Sequence, residues 1–147
     1  MSLFSTLEIS GSALAAERMR AEIVAANMAN AETTRTAQGG PFRRKMAVFS
    51  GAGASAFRLL LAGYNRLGGR PAGSIRLVQV ADDPTPPVVR YEPGHPDADA
   101  SGFVAYPNIN PIQEMVDLMG AVRAYQLNAS AATASKQMIQ QSLDLLK

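Results

Sequence analysis

Cysteine and tryptophan are both absent from the 147 residues. Without cysteine there are no disulfides, no thiolate metal sites and no cysteine nucleophile. There is one histidine, His95, which excludes a metal centre built on several imidazoles. Charge is nearly balanced, with a formal net of +2, so no general electrostatic grip on nucleic acid is implied. No apolar run is long enough to span a bilayer, so direct membrane insertion is not expected. The N-terminus "MSLFSTLEISGSALAAERMR" has no basic leader, and Glu8 interrupts the place where a signal peptide carries its apolar core. A cleaved secretory signal is therefore not expected.

Glycine and proline crowd the middle of the chain, and alanine is abundant at both ends. The shift predicts a mainly α protein with a small β-rich insert. Residues 1–31 form an N-terminal helix and residues 110–147 a C-terminal heptad helix. The two pair in coiled-coil fashion and flank a strand-and-loop segment, 32–109, with a glycine-rich excursion at 50–73. Ser5-Thr-Leu-Glu8 has the form of a capping box, with an alternative start near Ser2. The first helix should run to about Asn30, before "ETTRTAQGGP". Leu3, Leu7, Leu14, Ala21, Ala25 and Met28 fall on one of its stripes. Ile9, Ala16, Met19, Ile23 and Ala26 fall on another, nearly opposite.

Asn110-Pro111-Ile-Gln113 places a capping asparagine before a proline at the first helical position. Met115, Leu118, Val122, Tyr125, Ala129, Ala132, Lys136, Ile139, Leu143 and Leu146 then recur at spacings of three and four, a heptad seam broken only by Lys136. A second apolar line, which includes Ala124, Leu127, Ala131 and Met138, lies roughly opposite. A helix on a lone monomer has one apolar face and one wet face. Two helices that are apolar on both sides cannot bury everything against each other. An assembly protein is expected, its termini pairing and then packing against neighbouring subunits.

In the middle, "FRRKMAVF", "SIRLVQVAD" and "PPVVRYEP" read as strands, the last a short or edge strand because of its flanking prolines. Gly51-x-Gly53-x-x-Ala56 imitates a dinucleotide fingerprint, but no βαβ context surrounds it. Arg43-Arg44-Lys45 reads as a solvated strand with one packed aliphatic stem, because alternating side chains cannot all face one ligand. Asn128-Ala-Ser130 matches a glycosylation acceptor but falls inside a helix. "PGHPDADASG" (93–102) is the run richest in chemistry. Asp97, Asp99, Ser101 and Gly102 mimic the start of a calcium loop, but its twelfth position is Asn108 and not a bidentate glutamate. The prolines and aspartates fit a turn series that leads into the C-terminal helix, where His95 and the aspartates fix the turn or touch a neighbour. No nucleophile motif accompanies His95, so no catalytic residue, metal or cofactor is expected.

"AANMANAETTRTAQGGPFRRK" resembles the N-terminal signature of bacterial flagellar basal-body rod proteins, in an Asn-x-x-Asn-x-x-Thr pattern carried by Asn27, Asn30 and Thr33. Thr34-Arg35-Thr36, the run from Gly39 through Gly40 and Pro41 to Lys45, and the stretch "DDPTPPVVRYEPGHPDADASGFVAYPNINPIQEMVDLMGAVRAYQLN" are similar to a proximal-rod member of that family. Arg123, Tyr125 and Asn128 match its Arg-x-Tyr-x-x-Asn segment. The resemblance implies a non-catalytic subunit of the periplasmic rod, exported by the flagellar type III apparatus without cleavage. Its implied partners are copies of itself, other rod proteins and the adaptor that links rod to MS ring. Assembly contacts are expected at Leu7, Leu14, Ile23, Asn27, Asn30, Thr33, Gly40, Pro41, Met115, Leu118, Val122, Arg123, Tyr125, Asn128, Ile139 and Leu143. The alternatives are another axial protein of the rod and hook family or a small calcium-binding module.

Overall fold

The computed structural model describes residues 3–51 and 74–144. Most of the glycine-rich excursion, the remainder of the fingerprint-like run after Gly51, and Leu146 lie outside the described residues. Among the described residues six elements follow in order: α1 (Leu3–Ala29), β1 (Lys45–Gly51), β2 (Ile75–Asp82), β3 (Val88–Tyr91), β4 (Phe103–Tyr106) and α2 (Pro111–Asp144). Two long helices thus flank a small antiparallel strand region, as the composition shift predicts.

The start of α2 follows from its sequence. Asn110 Oδ1 accepts the Ile112 amide at 3.0 Å and the Gln113 amide at 3.5 Å. The Asn110 carbonyl takes the Glu114 amide at 3.1 Å and opens the helical ladder. Ser5 behaves differently. It already lies within the first turn of α1, whereas a capping residue has non-helical dihedrals, so the Ser5–Glu8 box does not form. At the far end of α1, Asn30 Nδ2 donates to the Ala26 carbonyl at 2.9 Å, and the Thr33 hydroxyl donates to Asn30 Oδ1 at 3.2 Å. The Asn30 amide donates to the same Ala26 carbonyl at 3.1 Å, so backbone and side chain of Asn30 together close the last turn. The chain then reverses at Gly39 and Gly40 (φ +86° and +74°), a left-handed pair that glycine adopts without steric cost. The Phe42 amide closes the reversal onto the Thr33 carbonyl at 3.0 Å.

The helices pack against each other as an antiparallel pair, the end of α1 beside the start of α2. The buried line of α1 is Ser10, Ala13, Ala16, Val24 and Asn27, and that of α2 is Glu114, Ala121 and Ser135. Leu118, Ala132 and Ile139 are half-buried along the same side of α2. The heptad period holds, but its phase differs from the expected seam by one residue at every second position. Glu114, Ala121 and Ser135 face α1, while Met115, Val122 and Lys136 are exposed. On α1 the buried line shares Ala16 with the second expected stripe and otherwise runs between the two stripes. Small side chains let two helix backbones approach closely, which larger residues at those positions would prevent. The large apolar residues consequently remain outside.

The described strands form two separate two-stranded sheets. β1 pairs with β2 from Lys45↔Asp82 to Gly51↔Ile75, with an irregularity between Val48 and Phe49. An isolated pair of strands is marginal in water, and this pair leans on α1. The Ile75 amide donates to Ser12 Oγ at 3.1 Å, and the Arg20 guanidinium lies 5.3 Å from the Phe49 ring centre. β3 pairs with β4 from Val88↔Tyr106 to Tyr91↔Phe103. β4 is absent from the sequence reading, although Phe-Val-Ala-Tyr after Gly102 has the period-two alternation of a strand: Val104 and Tyr106 are buried, Phe103 is exposed. Residues 93–102 are therefore the tip of a β-hairpin and not a connector into α2.

Gly102 has φ +81°, and a Cβ there would stand 2.9 Å from Tyr91 Cε2 and 3.2 Å from Pro93 Cβ. Gly102→Ala should destabilise the β3–β4 hairpin by at least the left-handed penalty of about 1–2 kcal/mol. Hydrogen exchange should accelerate in residues 88–106 and stay unchanged in the buried turns of α1 and α2.

Candidate functional site

Three segments distant in sequence meet where α1 ends and α2 begins. Asn27 and Glu114 are each 1% exposed. Asn27 reads the backbone of β1 with both ends of its amide: Nδ2 donates to the Lys45 carbonyl at 2.9 Å, and the Lys45 amide donates to Oδ1 at 2.8 Å. The second hydrogen on Nδ2 goes to Glu114 Oε2 at 3.1 Å. The other carboxylate oxygen of Glu114 accepts from Arg44 Nε at 2.6 Å, with Arg44 Nη2 also at 2.6 Å. Asp83 and Asp117 stand at 3.8 Å from the same guanidinium. A buried charge survives only when paired and hydrogen-bonded, and Glu114 meets both conditions. Arg44 therefore acts through its guanidinium, not as the packed aliphatic stem of a solvated strand; Arg43 is the exposed member of the triplet.

Asp83 extends the junction. Its amide donates to the Arg44 carbonyl at 2.8 Å. The hydroxyl and amide of Thr85 hold the Asp83 carboxyl below the usual carboxylate range, with Arg44 adding a smaller pull. A depressed folded-state pKa contributes stability above the ordinary carboxylate range and loses it on acidification through the folded value.

A second cluster ties the hairpin to the loop after α1. The Thr34 hydroxyl donates to Asp97 Oδ2 at 2.8 Å, and Arg35 stands 3.5 Å from Asp97 Oδ1. Asp99 Oδ1 takes the amides of Ser101 and Phe103 at 2.8 and 2.9 Å. His95 Nδ1 accepts the Asp97 amide at 3.1 Å. Tyr106 donates to Glu92 at 2.8 Å, a bond that pushes its phenol above the ordinary value, and the Arg90 guanidinium lies 4.6 Å from the Tyr106 ring centre. The carboxylates that imitate a calcium loop thus turn to a hydroxyl and to backbone amides. Among the described residues no three acidic or imidazole side chains are placed to hold a metal ion.

The expected contact residues fall into two environments. Asn27 is buried, and Leu7, Leu14, Ile23, Asn30, Thr33, Pro41, Leu118, Asn128 and Ile139 are half-buried. Met115, Val122, Tyr125 and Leu143 are exposed, as are Arg123 and Gly40. With Ile112 (76% exposed), Val116 (57%) and Met119 (50%), Met115 and Val122 make an uncovered apolar band on the first three turns of α2. Isolated exposed apolar residues are ordinary, but a contiguous band marks an interaction face. Glu114 has no role in the sequence-based expectations, and Arg44 figures there only as part of a solvated basic triplet. The available signal was that Glu114 precedes Leu118 and Ala121 at the four–three spacing of the buried side.

Comparison with known proteins bears on the same segments. The family described as "Flagella basal body rod protein" matches residues 7–35, and "Flagellar basal body rod FlgEFG protein C-terminal" matches residues 100–145. The flagellar basal-body rod protein FlgC of Bacillus subtilis is 36% identical over 151 aligned positions, covering 100% of both chains. Its namesake in Salmonella typhimurium is 35% identical over 145 positions, covering 99% of this chain and 98% of the other. That of Borreliella burgdorferi is 32% identical, covering 100% and 99%.

The chain belongs to the FlgC flagellar basal-body rod proteins.

It is accordingly a structural rod subunit of the flagellar basal body. The two matched segments take in α1 from Leu7 onward and the whole of α2, and Asn27 and Glu114 lie one in each. Asn27→Ala should cost about 2–4 kcal/mol, because it strands the Lys45 backbone groups and removes a donor from a buried carboxylate. A double-mutant cycle with Glu114→Gln, read by chemical denaturation, should give a coupling of about 1 kcal/mol or more.

Proposed function

We propose that the chain polymerises through the outward faces of its two helices to build the proximal rod and carry torque across the periplasm. It does this as a mechanical part and performs no catalysis. Neighbouring copies and other rod proteins cover the band of Ile112, Met115, Val116, Met119 and Val122, and the adaptor joins the rod to the MS ring. The chain reaches its place through the flagellar type III apparatus without losing a signal peptide. The resemblance of both terminal segments to rod proteins supports the last two statements.

The uncovered band on α2 carries the assembly reading. Burying such residues is worth about 1.5–3 kcal/mol each for a full side chain, and the paired helix does not collect it. The Asn27–Glu114–Arg44 junction fixes which side of α2 turns inward, and therefore which side is left for neighbours. A rod that transmits torque needs that orientation to be rigid.

Met115→Asp and Met119→Asp test the reading. Each should change the stability of the isolated chain by no more than about 0.5 kcal/mol, the range of ordinary surface substitutions. Each should nevertheless exclude the chain from purified basal bodies and abolish swimming. Normal incorporation with a charge at both positions would overturn it. Ala121→Leu should do the reverse of the single charges and destabilise the isolated chain, since it forces the helices apart.

A further inference from the structure

α2 carries two seams one residue apart. The occupied one is Glu114, Ala121, Asn128 and Ser135 at seven-residue intervals, each buried or half-buried. The next residue in each heptad gives Met115, Val122, Ala129 and Lys136, with Leu143 one heptad further. Met115, Val122 and Leu143 are 52%, 45% and 57% exposed. Leu118, Ala132 and Ile139, all half-buried, border both seams. Adjacent residues of a helix stand about 100° apart, so a rotation of roughly 50° exchanges one seam for the other while these three stay inside.

The occupied seam is held at one end. Of its four residues, only Glu114 has a hydrogen bond to α1, through Asn27. Asn128 turns its amide to the Ala124 carbonyl of its own helix at 2.9 Å. On α1, Glu17 lies seven residues from both Ser10 and Val24, and its Oε2 is buried without a hydrogen-bond partner; Arg20 Nη1 stands 3.7 Å away. A buried polar atom left unsatisfied is a cost of this packing. The rotation that turns Met115 inward carries Glu114 outward, toward the direction Asp117 now takes, where a carboxylate is half exposed. Lys136, the one cation of the second seam, then lies near the α1 end that carries exposed Glu8. Its long stem lets the amine stay in water.

We infer that α2 is a two-position element latched by the Asn27–Glu114–Arg44 junction. Latched, it presents Met115 and Val122 to neighbours. Released, it rotates and packs them against its own α1, so the subunit covers part of its own assembly band. Small rotations of packed helices between discrete positions are a recurrent kind of switch, and a single polar residue in a seam can choose between registers. A neighbour that covers the band binds only the latched position and so selects it. The biological meaning of the latch rests on the rod reading; the rotation itself is a property of the single chain.

Because the chain has no cysteine, single thiols report the phase. Ala121→Cys and Val122→Cys form one reporter pair, and Ser135→Cys and Lys136→Cys a second, two heptads further along. In the monomeric full-length chain a maleimide should label Val122→Cys and Lys136→Cys faster than their neighbours, by about tenfold or more. Adding Arg44→Ala strands the Glu114 carboxylate and should invert both ratios, with helix content by circular dichroism unchanged. Glu114→Ala opens the latch without a stranded charge, should do the same, and serves if Arg44→Ala does not fold. Unchanged ratios in the opened chains, inversion at one pair alone, or fast labelling at all four positions would each overturn the rotation. Labelling needs no rod, so that failure is separate from a failure of the rod reading, which basal-body incorporation of the Met115→Asp chain measures.

Discussion

One side chain sets the geometry of the subunit. Asn27 spends both hydrogens and its oxygen on two elements that are far from it in sequence: the Lys45 backbone in β1 and the Glu114 carboxylate in α2. No other side-chain type presents a donor and an acceptor at that spacing while leaving a second donor for a neighbour, apart from the longer glutamine. Arg44 completes the arrangement by neutralising Glu114. A buried carboxylate with no partner is costly, so any rotation of α2 that separates Glu114 from Asn27 and Arg44 is opposed. The polar junction thus acts as a register pin, the role in which buried polar groups in paired helices are best attested.

Fixing the register this way has a consequence along the whole helix pair. With Glu114 turned inward, the heptad brings Ala121 and Ser135 to α1 and leaves Met115 and Val122 outside. The intramolecular contact is built from small residues at short range, and the apolar area that normally makes a core is kept at the surface. Such a subunit is only modestly held together by its own packing and well equipped to gain stability from neighbours. The two small sheets follow the same logic: β1–β2 is anchored to α1 through Ile75 and Ser12, and the β3–β4 hairpin to the loop after α1 through Thr34 and Asp97.

The sequence carried some of this clearly. Asn110 and Pro111 announce the start of α2, and the three–four recurrence announces its length. The phase of the seam was not legible, because choosing the bulkiest residue in each turn assumes that size decides burial. Here a buried glutamate and two small residues take those places, and only the partners Asn27 and Arg44 explain why. β4 was hidden for a related reason: its four residues follow a run of turn-forming aspartates and prolines that draws attention to chemistry. Those aspartates do shape a turn, as Asp99 shows with the amides of Ser101 and Phe103. That Asp97 reaches across to Thr34 is a long-range fact that local turn rules do not contain.

A density map of the intact rod at side-chain detail, with this chain traced, tests the central claim most directly. The junction of Asn27, Arg44 and Glu114 should persist within each subunit, while Ile112, Met115, Met119 and Val122 are buried by adjoining chains. A rod in which that band faces solvent, or in which α2 is rotated to bring Met115 and Val122 against its own α1, would contradict it.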